Sequence, residues 1–165
     1  MLSTYKRHNN LLYNKLVELS RNIFFYKKIL LKDSFETRIN LIFVHLSLIF
    51  IIFKKKKQNF PQEIFDNIFL NVEYHIRELG HGDVTVNKEM KNLTRIFYDI
   101  LLKINNSKST EFELNKAIFK IYFNPTSPNS LIIIDNLTSY FSNFYNFCFE
   151  LKTHNMLKGQ INFKY

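Results

Sequence analysis

A chain of 165 residues is the length of one domain, and folding at that size buries roughly 70% of the surface its unfolded form exposes, so a core is available without covalent staples. One cysteine, Cys148, excludes an intramolecular disulfide and a cysteine zinc site, and points to a reducing compartment. Twenty-three basic against 14 acidic residues give +9, which favours an anionic partner or surface. That charge comes mostly from 18 Lys, with five Arg, in a chain rich in Asn, Ile, Phe and Tyr and poor in Gly and Pro, so codon bias accounts for part of it.

The opening residues Met1 to His8 lack the apolar core and small residues of a secretory signal, and no removable Arg- and Ser-rich leader is expected before the amphipathic pattern Leu12, Leu16, Leu19. That pattern predicts a first helix over about Asn10 to Ser20, followed by a short aromatic helix from Asn22 to about Leu30. Asp33 and Ser34 offer caps for a long third helix that ends in Lys54 to Lys57, where cations meet the negative end of the helix dipole. Its apolar stretch, 15 residues from Ile39 to Phe53, contains Asn40, His45 and Ser47 and is shorter than the about 20 residues of a membrane span, so a central bundle helix is expected.

Pro61 is expected in the first turn of the clearest amphipathic helix, with Ile64, Phe65, Ile68, Phe69, Val72, Ile76 and Leu79 as one stripe. Met90, Leu93, Phe97, Ile100, Leu101 and Ile104 mark the next, and the two should pack as a pair. A further helix is expected over Thr110 to Phe123, a break at Asn124 to Asn129 around two prolines, and a last helix from Ser130 to Lys152 with Leu137, Phe141, Phe144 and Phe147 inward. Nothing alternates long enough for a sheet. The fold class is therefore all-α, a single helical domain of about six to seven helices over 1–165, with its core in about 11–147.

No catalytic or metal spacing is present, and no cofactor or small-molecule substrate is expected. His75 and His81, six apart around Gly80, read as surface histidines; His45 reads as a hydrogen-bonded core histidine and Cys148 as a small buried hydrophobe. Two of the three glycines stand together in Gly80-His81-Gly82, which excludes a phosphate-cradling loop and makes a helix junction. Gly80 should close one helix in the left-handed conformation, Gly82 should permit a second change of direction, and Asp83 or Thr85 should cap the next helix. Arg77 and Glu78 precede this corner, and Lys88, Lys91 and Arg95 follow on the polar side of the next helix. The candidate partner-binding residues are accordingly Arg77, Glu78, Gly80, Gly82, Asp83, Lys88 and Lys91.

Phe65-Asp66-Asn67-Ile68-Phe69, Ile76 to Lys91 and Phe97-Tyr98 together resemble the core of the ubiquinol-cytochrome c chaperone family. Arg21-Asn22, Phe25-Tyr26, Asp33, Arg38 and His45-Leu46 are similar to that family's N-terminal half. Thr37 and Asp99 depart from it, standing where relatives often carry Gly. The resemblance covers roughly Leu11 to Phe147 and implies a non-enzymatic chaperone for respiratory complex III, binding newly made cytochrome b or another subunit. It also implies a small co-chaperone subunit, contact with ribosome or membrane surface, and a bacterial-type form: cytoplasmic or peripheral on the inner membrane, or on the matrix side in a mitochondrion. The residues alone leave open a basic helical module that binds nucleic acid or ribosome, and a membrane-anchored helical protein.

Overall fold

The computed structural model describes residues 10–106, 110–123, 125 and 128–165. The leader reading of Met1 to His8, and Asn124, Thr126 and Ser127 of the expected break, lie outside the described residues. Among those described, seven α-helices and one π-helical turn run in the order α1 (Leu11–Ser20), the π-turn (Phe24–Lys28), α2 (Phe35–Lys55), α3 (Gln62–Glu78), α4 (Asp83–Lys103), α5 (Ala117–Phe123), α6 (Ser130–Phe149) and α7 (Thr153–Leu157). No strand forms among them; Asn105 and Leu114 make an isolated bridge.

α2 is the axis of the fold. The Ser34 hydroxyl caps it by accepting from the Thr37 N–H at 3.2 Å and donates to the Thr37 hydroxyl at 3.1 Å. Every residue from Ile39 to Ile49 is buried, because α1, α4, α5 and α6 surround the helix. The expected span of 15 apolar residues falls short of the helix itself, which starts at Phe35, runs for 21 residues and is long and apolar enough to cross a membrane by length and composition. The apolar run undercounts because the capped first turn, Phe35 to Arg38, and the final Lys54 and Lys55 belong to the same helix. Asn40 keys it to α5, donating from its side-chain amide to the Tyr122 carbonyl at 3.0 Å.

Four other boundaries differ from expectation for local reasons. The short aromatic helix is a single π-turn: the Ile29 N–H reaches back to the Phe24 carbonyl, Leu31 closes on Phe25, and Leu30 takes a left-handed φ of 64°. Pro61 is the N-cap of α3 rather than its first residue. α5 begins at Ala117, not Thr110, because the preceding segment bonds back to the end of α4: Asn115 N–H donates to the Ile104 carbonyl and Asn106 N–H to that of Glu113, each at 2.8 Å. α6 stops at Phe149 because the Leu151 N–H turns back onto the Cys148 carbonyl. The Lys56 ammonium, donating to the Leu151 carbonyl at 2.6 Å, ties this turn to the end of α2.

Residues beyond α7 complete the core. Ile161 is buried, and the Phe163 ring packs against Tyr140, Phe144 and Phe147. Gly159 makes this return possible. Its φ is +70°, and a Cβ there would stand 2.5 Å from the Leu11 carbonyl oxygen at the start of α1.

Candidate functional site

The corner between α3 and α4 is built by one glycine and one ion pair. α3 ends at Glu78 with Leu79 as its C-cap, and Gly80 follows at φ +91°, the left-handed conformation the sequence calls for. Gly82 behaves otherwise: it is the N-cap of α4 at φ −76° and ψ 167°, ordinary extended backbone with open space around it, so no special freedom is needed there. Neither Asp83 nor Thr85 caps α4. Asp83 is already the first residue of the helix, where its charge suits the positive end of the dipole, and its carboxylate accepts from the Arg77 guanidinium at 2.5 Å. Arg77 also reaches Glu73 at 3.4 Å, and the Asp83 hydrogen bond is the main cause that raises its pKa. The corner is thereby braced from both helices.

Exposed around this brace are Glu78, His81, Lys88, Lys91 and Arg95, and with them two apolar residues, Leu79 (53% exposed) and Val84 (85%). Lys88 and Lys91 form no ion pair among the described residues, whereas the Arg95 guanidinium donates to the Asn92 side chain at 2.9 Å. His75 departs from the expectation of a surface histidine: it is half-buried, and its ring stacks on Phe35 with centroids 5.2 Å apart, which joins α3 to the start of α2.

The family-frame residues fall into separate groupings, mostly inside the molecule. Phe65 on α3 and Phe97 on α4 lie 5.7 Å apart, and Phe97, fully buried, also meets Phe43 and Phe50 of α2. Asp66 accepts from Gln62 one turn earlier at 2.8 Å, and Tyr98 is about half exposed, with its ring against Phe65 and Phe97. Asp33 receives two bonds from the Arg38 guanidinium, at 2.9 and 2.6 Å, and so anchors the first turns of α2 to the chain before it. The departing positions sit in regular helix: Thr37 serves the α2 cap, and Asp99 pairs with Lys103 at 2.7 Å and accepts from the Tyr122 hydroxyl, joining α4 to α5. Tyr122 is pushed up to about 12, by its burial and by that bond.

His45 is a core histidine, as its sequence context indicates. Its Nδ1–H donates to the Leu41 carbonyl at 2.6 Å, which leaves Nε2 to accept from the Tyr140 hydroxyl at 2.9 Å. Phe25, Phe141 and Phe144 close around the ring edge-on, and burial lowers the His45 pKa to about 4. The Cys148 thiol, also buried, is pushed up to about 12 by the same cause and is not a nucleophile at neutral pH. Among the described residues no group of three or more His, Cys, Asp or Glu could hold a metal.

Two surface features escape the charge pattern. Leu102, 81% exposed near the end of α4, is an apolar residue on the side of the helix opposite the buried Phe97, Ile100 and Ile104. A groove of about 620 Å³ opens beside the start of α2, lined by Leu30, Ile132 and Tyr122 among others; its charges are mixed, Lys28 and Lys32 with Glu36.

A sequence model of the ubiquinol-cytochrome C chaperone family matches residues 27–163. No curated protein and no solved structure matches the chain. The matched span begins within the π-turn and takes in α7 and the returning C-terminal residues, so it ends later than Phe147, in keeping with the packing of Phe163 on α6.

Proposed function

From the premise that this chain belongs to the ubiquinol-cytochrome C chaperone family, we propose that it is a non-enzymatic assembly factor for respiratory complex III whose client is newly made cytochrome b. The observation that carries the reading is the extent of the match, which spans nearly the whole domain and includes both helices of the corner. The chemistry of the surface is consistent with it. A chaperone of this kind performs no bond-making step; it needs a stable body and a surface that offers apolar contact and charge at once. The corner supplies both, with Leu79 and Val84 exposed beside Lys88 and Lys91. Arg77, Gly80 and Asp83 hold that surface in shape, with Glu78 and Gly82 exposed beside it.

A net charge of +9 suits residence near anionic lipid headgroups or the ribosome, where a membrane protein emerges. The protein acts on the side of the membrane where cytochrome b is synthesised, as a peripheral factor, together with a small co-chaperone subunit. Removal of the gene should lower haem-loaded cytochrome b, measured by its reduced-minus-oxidised absorbance in isolated membranes. An unchanged cytochrome b spectrum would overturn the reading.

A further inference from the structure

α4 presents two faces of different composition. Its inner line, Val86, Leu93, Phe97, Ile100 and the capping Ile104, is buried. The opposite line is Val84, Lys88, Lys91, Arg95, Tyr98 and Leu102, all exposed. Successive steps along it are four, three, four, three and four residues, so the six side chains keep a 3.5-residue period and form one straight strip roughly 27 Å long. Its order is apolar, cationic, apolar: Val84 at one end, Tyr98 (47% exposed) and Leu102 at the other, and three cations between. The carboxylates at α4's two ends are engaged elsewhere, Asp83 with Arg77 and Asp99 with Lys103 and Tyr122.

We infer that this strip docks one amphipathic helix of another protein, with carboxylates at its middle and apolar side chains at both ends. The inference rests on the protein-binding reading above and specifies the element of the partner that is bound. A 3.5-residue period is the seam along which two helices stay in register, each side chain entering a gap on the other. The occupant cannot be a second copy: antiparallel pairing about the middle of α4 sets Lys91 against Arg95, and parallel pairing sets each cation against itself. A phosphate backbone would satisfy the three cations but leave Val84 and Leu102 in water. A flat bilayer would draw the apolar ends and the cationic middle of one straight line to the same depth.

The test uses the full chain and two labelled helical peptides of about 20 residues, each with Leu at both ends of a 3.5-residue stripe. One carries Glu at the three central stripe positions and the other Lys. Fluorescence anisotropy should show the Glu peptide binding roughly tenfold more tightly or better. Lys88→Glu/Lys91→Glu/Arg95→Glu, with unchanged circular dichroism, should invert the preference, and Val84→Ser/Leu102→Ser should weaken the Glu peptide without inverting it. Equal binding of the two peptides, or a preference that survives the triple reversal, would overturn the inference. So would tighter, strip-dependent binding of a single-stranded RNA of about 20 nucleotides or of phosphatidylglycerol vesicles, since it would assign the strip to a polyanion. Loss of cytochrome b as client would leave the peptide preference intact, so the two readings fail separately.

Discussion

The middle of α2 and the outer side of the α3–α4 corner both set polar groups among apolar ones, with opposite results. At the middle of α2 the His45 ring has both nitrogens occupied, by the Leu41 carbonyl and the Tyr140 hydroxyl, and aromatic rings seal it from water. At the corner, Arg77 and Asp83 pair in solvent, where such a pair contributes little to stability, and Lys88 and Lys91 have no ion-pair partner among the described residues. The buried polar group fixes one packing; the exposed ones leave their bonding capacity for another molecule. Stability should therefore be concentrated around α2, and recognition along α4.

The largest expected effect is inside. Phe97→Ala, which opens the junction of α2, α3 and α4, should cost about 3 to 5 kcal/mol in denaturant unfolding; a loss under about 1 kcal/mol would dissolve the contrast between core and corner. Next comes pH. The native His45 stays neutral down to about 4, whereas the unfolded residue takes up a proton near 6.5. Its contribution is therefore fully present above pH 6.5 and is lost as pH falls through that window, reaching about 3 kcal/mol near pH 4. Urea midpoints measured across the window should fall with pH, and His45→Gln should flatten the fall by about one proton's worth of slope.

The three glycines grade the comparison further. Gly159→Ala should cost roughly 2 to 3 kcal/mol, since it combines a left-handed backbone with a clash against the Leu11 carbonyl. Gly80→Ala should cost about 1 kcal/mol for the backbone alone, and Gly82→Ala about 0. Equal costs at Gly80 and Gly82 in thermal melts would break this account of the corner. The smallest effect on stability belongs to Lys88→Glu/Lys91→Glu, which should leave helical circular dichroism and the melting temperature unchanged while reducing client capture roughly tenfold.

Much of this fold was legible in the sequence because most helices show their inner face as a repeat. Leu12, Leu16 and Leu19 in α1, and Ile68, Val72 and Ile76 in α3, are buried where the period puts them. What escaped depends on contacts distant in the chain. The start of α5 is set by the Ile104 carbonyl, the end of α6 by Lys56, and the return of Ile161 and Phe163 by a turn at Gly159 that no local pattern announces. At the candidate site, charge and the left-handed Gly80 could be read in advance. The choice of Gly82 as N-cap could not, because it depends on Arg77 drawing the Asp83 carboxylate away from the backbone. Nor could the burial of His75, which depends on where Phe35 lies.

The assignment as a cytochrome b chaperone is tested most directly by capture from native membranes. The tagged full chain should enrich newly synthesised cytochrome b over other inner-membrane proteins of similar hydropathy, and Lys88→Glu/Lys91→Glu should lose that enrichment while staying folded. Recovery of cytochrome b at no more than the level of those other proteins would contradict it.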